Sequence, residues 1–158
     1  MTTATTEANH ALDNAAAWNA DISAAHEAWL FCQEDTEGRD LTREAKLQLH
    51  EHGYDGTNHA DVAEAIEDHQ RESILSLEVR SRWHVPGEPA ELGDYCILLT
   101  CGGPALRITG ELRGWPAVAV EPCGFQLEYQ DWGTPWTCYT DADADALDWF
   151  TGLFYYGE

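Results

Sequence analysis

The sequence predicts an α+β fold: helices over about residues 9–34, 42–52 and 59–72, an antiparallel β-meander of three to five strands over about residues 75–132, and a C-terminal helix over about residues 141–154. Three observations predict it. Apolar residues recur at helical steps through the first 72 residues. Near Ser73 the pattern changes to strict alternation, the signature of half-buried strands. The alternating runs then follow one another through short connections containing Gly and Pro, as sequential antiparallel strands do.

Residues 1–8 form a Thr/Ala tail expected to fray. In the first helix, Ala11, Ala15, Trp18, Ile22, Ala25, Trp29 and Cys32 recur at alternating four- and three-residue steps, so they make one stripe. Asp13, Asp21, Glu27 and Glu34 lie off it. The alanines allow close approach of another helix, from this chain or from a second copy in a dimer. Gly53 ends the second helix as a C-cap. Thr57 or Asn58 opens the third, whose expected buried side is Val62, Ala65, Ile66 and His69.

Leu75, Leu77, Val79 and Trp83 alternate with Glu78, Arg80, Arg82 and His84, which predicts the first strand. A loop over 85–94 leads to an apolar strand from Tyr95 to Cys101. Gly102, Gly103 and Pro104 turn the chain into a strand from Ala105 to Arg113. A short strand at 117–121, a turn at 122–124 and a last strand at 125–132 complete the meander. Thr140 is the expected cap of the final helix, with Ala144, Leu147, Phe150 and Phe154 packing inward. With 44% hydrophobic residues and seven tryptophans, 158 residues suit a single domain with a real core. No apolar run reaches the roughly 18 residues of a membrane span, and MTTATTEANH lacks a signal peptide's basic and apolar regions, so the expected location is the cytoplasm.

Charge is the dominant feature. Twenty-nine acidic residues face eight basic ones, a net charge of −21 with Lys46 the single lysine. Such a field repels nucleic acid and anionic membrane and attracts basic protein surfaces. Twenty-one charges match about 36 Å of duplex DNA. The charge is uneven: −12 over residues 1–72, −4 over 73–140 and −5 over 141–158. The helices should therefore carry the anionic surface. The arginines of the middle (Arg80, Arg82, Arg107, Arg113) should lie on the polar face of the sheet.

No motif announces catalysis. A P-loop, a GxSxG elbow and a dinucleotide fingerprint are all missing. His50, Glu51, His52, Asp55 and His59 are the best metal candidates, but His50 and His52 diverge on a helix, so no metal or other cofactor is expected. Cys101 with His84 is the nearest thing to a nucleophile and base, without an oxyanion motif. The five cysteines form no CxxC pair and are expected to be buried thiols. Two carboxylate rows remain. Asp141, Asp145 and Asp148 would share one face of the last helix, and Asp61, Glu64, Glu67 and Asp68 crowd the third, where only Arg71 dilutes them. Trp132 and Trp136, beside Gly133 and Pro135, are candidate apolar anchors.

The run EVRSRWHVPGEPAELGDYCILLTCGGPALRITGEL (78–112), with LEYQDWGTPWTCYTDADADAL (127–147) and the ending FYYGE, resembles a group of small acidic proteins. These are carried by plasmids, integrative elements and phages of Gram-negative bacteria, often beside antirestriction genes. The resemblance spans about residues 73–158 and brings no catalytic residues. It implies a non-enzymatic anti-CRISPR or antirestriction inhibitor. Its partner would be the basic nucleic-acid-binding surface of a CRISPR effector or restriction enzyme, engaged by nucleic-acid mimicry. Two other classes stay open on the residues: an acidic structural or regulatory protein-binding module without mimicry, and a Cys/His-dependent enzyme.

Overall fold

Alternation in the middle of the chain becomes one antiparallel sheet. The computed structural model describes residues 8–34, 42–51, 53–56, 58–114 and 120–157. Strands β1 (Ser76–Ser81), β2 (Leu92–Thr100), β3 (Ala105–Arg113), β4 (Glu121–Gln130) and β5 (Thr137–Cys138) lie in the order β1-β2-β3-β4-β5, a meander. Helices α1 (Ala8–Gln33), α2 (Arg43–Glu51) and α3 (His59–Glu72) precede the sheet and α4 (Ala144–Gly152) follows it. The fold is α+β, as the periodicities require.

The helices cover one face only. Ile97, Ile108 and Leu127 stand side by side across β2, β3 and β4 and are buried. Tyr95, Leu99, Leu106 and Leu112 extend this inward surface, and α1 and α4 close over it with Ala15, Ile22, Leu147 and Phe150. A second cluster joins Ala25, Ala28 and Cys32 of α1 to Leu49 of α2 and Val62, Ala63 and Ile66 of α3. Trp149 packs against both clusters. Most of the α1 stripe is therefore packed inside this chain, against α3, α4 and the sheet.

The first surprise in the sheet is β4. Pro122–Gly124, expected as a turn, lies within it, because a β-bulge absorbs the extra residue: Gln126 pairs with Thr109 but Cys123 with Glu111. Gly124 takes a φ of 71°, which favours glycine. Opposite the bulge, Tyr95 pairs with Gly110 and its hydroxyl donates to the Gly124 carbonyl at 2.9 Å. A Cβ on Gly110 would stand 2.2 Å from that carbonyl oxygen and 2.6 Å from the Tyr95 ring. Burial pushes the Tyr95 hydroxyl up to about 12. The Tyr156 ring packs tilted against it at 5.0 Å, and its hydroxyl donates to the Thr151 carbonyl at 2.7 Å.

Other elements shift for identifiable reasons. β5 lies beyond the expected limit of the meander, and the expected strand at 117–121 falls mostly outside the described residues. The last helix begins at Ala144, with Asp143 rather than Thr140 as its N-cap. A tertiary contact selects that cap: the Asp143 N–H donates to Asn19 Oδ1 at 2.8 Å. Ala146 is then buried and Ala144 exposed. The buried side of α3 is rotated to His59, Val62, Ala63, Ile66 and Gln70, leaving Ala65 and His69 exposed. His59 packs its ring 5.6 Å from Phe31 of α1 and sets that rotation. Only Cys32 among the cysteines is buried; Cys101 and Cys138 are exposed, and Cys96 and Cys123 are half-buried.

Gly110→Ala is expected to cost about 1–3 kcal/mol through overpacking at the bulge. Tyr95→Phe, which leaves the Gly124 carbonyl without its donor, is expected to cost about 1 kcal/mol. Urea unfolding followed by tryptophan fluorescence measures both.

Candidate functional site

Carboxylates make up nearly all the charged side chains of α1, α3 and α4. Asp13, Asp21 and Glu27 belong to α1, Asp61, Glu64, Glu67, Asp68 and Glu72 to α3, and Asp145 and Asp148 to α4. All but Glu67 are exposed. Arg71 is the one Lys or Arg residue in these three helices. Its guanidinium donates to Glu67 Oε2 at 2.7 Å and Asp68 Oδ1 at 2.8 Å, and its Nε donates to the Leu153 carbonyl at 3.0 Å. Arg71 thus pins α3 to the end of α4. Two members of the expected α3 row, Glu67 and Asp68, are partly neutralised by it. Glu67 is further held by the Trp29 indole N–H at 2.9 Å. Asp61 sits at the helix start, where the Asn58 side chain caps its N–H at 2.9 Å.

The expected α4 row is shorter than its sequence spacing suggests. Asp141 lies in the turn before Ala144, so it shares no helical face with Asp145 and Asp148. Asp143 spends its charge locally. It accepts from the Ala146 N–H at 3.2 Å, and that bond, with the Ser23 side chain, holds its carboxyl below the usual range. Trp149 faces α1, stacking on His26 at 5.2 Å and lying 5.8 Å from Trp29. An aromatic cluster therefore stands between the carboxylates of α4 and those of α3.

The expected tryptophan anchors sit elsewhere. Trp136 follows the parity of Cys138, which neighbours Glu128 on the outer sheet face. There the Arg107 guanidinium lies 4.0 Å from the Trp136 ring and donates to Glu128 Oε2 at 2.7 Å. Trp132 is largely exposed and lays its indole against Gly103 in the β2–β3 turn. The sheet separates Trp136 from the helical carboxylates. The outer face is also electrically different, because Arg80 pairs with Asp94 and Arg107 with Glu128.

A feature that sequence spacing missed lies between α1 and α3. Trp18, Asp21, Tyr54, His69, Gln70 and Ser73 line a cavity of about 290 Å³. Tyr54 meets the His69 ring edge-on at 6.4 Å, and burial raises its hydroxyl pKa against the opposing hydrogen bond from Gln70. Trp18 belonged to the expected apolar stripe, but its half-exposed indole forms a wall here. Two aromatic rings beside a carboxylate suit the aliphatic stem and charged head of an arginine or lysine side chain.

The enzymatic candidates fare differently. Cys101 follows the end of β2 and His84 lies beside its beginning, where Arg82 N–H bonds the Glu91 carbonyl. Nine strand residues put the two roughly 30 Å apart, too far for proton transfer. His50 hydrogen-bonds Asp55 at 3.0 Å in solvent, His59 is buried, and His52 lies outside the described residues. Among the described residues, no three His, Cys, Asp or Glu side chains are grouped to hold a metal ion. No described helix is long and apolar enough to cross a membrane. In comparisons with known proteins, no family model, no curated protein and no solved structure matches this chain.

Asp143→Ala is expected to destabilise the fold by about 1 kcal/mol at pH 7 through loss of the α4 cap. The lowered Asp143 pKa makes its contribution full above the ordinary carboxylate value of about 3.9, to be lost as pH falls through the folded value. Chemical unfolding of both proteins from pH 7 to pH 3 should therefore show the gap closing at the acid end.

Proposed function

We propose that the protein is a non-enzymatic inhibitor that binds the basic, nucleic-acid-binding surface of another protein. Carboxylates of the helical layer stand where phosphates would stand. One observation carries this reading: α1, α3 and α4 hold ten carboxylates against one arginine, while the arginines Arg80 and Arg107 of the outer sheet face are each matched to an acid. An acidic composition without a binding role would spread both signs over both surfaces. Here the excess of acids is greatest on the helical side.

Charge of this kind speeds association and selects basic partners, and affinity needs a desolvated anchor besides. The cavity beside Trp18, Asp21 and Tyr54 supplies one, as a seat for a single arginine or lysine side chain of the partner. It takes the anchoring role first expected of Trp132 and Trp136. Exposed Glu64 and Glu72 on α3, with Asp145 and Asp148 on α4, supply the phosphate-like positions. The resemblance over residues 73–158 supports a CRISPR effector as the first target class and a restriction enzyme as the second, met in the cytoplasm.

The test measures inhibition of purified CRISPR effectors and restriction endonucleases. Neutralising Glu64, Glu72, Asp145 and Asp148 together to their amides should weaken inhibition about tenfold, at about 0.3–0.5 kcal/mol per exposed charge. Inhibition by the unmodified protein should also weaken as salt rises. Equal potency of the amide variant, together with salt-independent inhibition, would exclude mimicry and leave a binding module whose acidity is compositional.

A further inference from the structure

Among the described residues β1 is an open edge of the sheet, paired with β2 on one side, while α1 and α4 rest on β3 and β4. Its inward row therefore runs out from beneath the helical layer. Leu77 still packs against the core, but Val79 is 44% exposed and Trp83 completely. The strand pairing continues past both ends of β1, since Leu75 N–H bonds the Leu98 carbonyl and Arg82 N–H the Glu91 carbonyl. A stretch of extended backbone with a free side and an exposed apolar row is a template for another strand.

We infer that this edge pairs antiparallel with the same edge of a second copy, with Val79 facing its counterpart across a two-fold axis. The pattern of the strand is self-complementary about that residue. Leu77 of one copy then stands opposite Ser81 of the other on the helical side, flanking the Val79 pair. On the outer side Glu78 stands opposite Arg80, and by symmetry this pair occurs twice. The irregularity between Arg80 and Ser81 places its extra residue in β2, where Ser81 pairs with Leu92, so the alternation of β1 is unbroken from Ser76 to Ser81; Leu75, whose N–H bonds the carbonyl of the same Leu98 that Ser76 faces, is out of step with it. Arg80 already pairs with Asp94 of its own chain, and the second copy's Glu78 completes a three-membered network.

Charge also favours self-association at this location. Residues 73–83 hold one acid, Glu78, and two arginines, Arg80 and Arg82, within a chain of net charge −21. Two copies meet there with reduced repulsion. The pairing makes one sheet of twice five strands and sets both helical layers on the same side. The inference does not depend on the proposed inhibitory role, since it involves the sheet edge and none of the helical carboxylates.

Sedimentation velocity of the full chain over a concentration series tests it. The expected mass is twice 17.6 kDa, and the dimer should strengthen as salt screens the residual repulsion. Glu78→Arg and Arg80→Glu should each give a monomer, and an equimolar mixture of the two variants should recover the dimer because every facing pair is again opposite in sign. Circular dichroism melting of each variant confirms that it is folded. A monomeric unmodified protein at all concentrations, a dimer unaffected by either substitution, or folded single variants whose mixture stays monomeric would overturn the inference.

Discussion

The inward row of β2, β3 and β4 can be buried on one side only, beneath α1 and α4, and the remaining features depend on that asymmetry. Ile97, Leu99, Leu106, Ile108 and Leu127 are each buried to 2% exposure or less, as are Ala15, Ile22, Leu147 and Phe150 above them. At about 25 cal/mol per Å² of apolar surface buried, this layer is a major stabilising contribution. It leaves two surfaces with opposite requirements. The outer sheet face stays in water and holds Arg80 and Arg107 in ion pairs. The outer helical surface has no pairing strand beside it and can carry one sign.

That one-signed surface works against folding. Like charges at helical spacings cost a few tenths of a kcal/mol per pair, and α3 carries Glu64, Asp68 and Glu72 at successive four-residue steps. The cost is offset beneath the surface. Arg71 ties α3 to the end of α4, Asn19 ties the start of α4 to α1, and His26, Trp29 and Trp149 stack between the three helices. The interior bonds are specific and few, so the outward carboxylates can be changed with little effect on the packing below. A surface organised in this way is suited to selection for binding rather than for stability.

Much of the architecture was legible because it rests on local periodicity. β3 was expected at Ala105–Arg113 and occurs there, and the Asn58 cap of α3 was one of two residues named for that position. The misreadings share a physical cause: a distant residue decided between locally equivalent choices. Thr140 and Asp143 are both good caps, and Asn19 selects Asp143. Pro122-Cys123-Gly124 reads as a turn until Tyr95 and Gly110 anchor it as a bulge. The candidate site was half visible. The excess of acids on α3 could be counted from the chain, but the parity that puts Trp136 across the sheet, and the approach of Tyr54 to Trp18, belong to tertiary packing alone.

The account stands on the claim that the helical layer occupies the place of nucleic acid on its partner. Titrating duplex DNA or guide RNA into a preformed complex of the protein with its target tests that claim most directly. The apparent dissociation constant should rise linearly with nucleic-acid concentration, without limit, because the two ligands exclude each other. A plateau, with protein and nucleic acid bound together in one ternary complex, would contradict it.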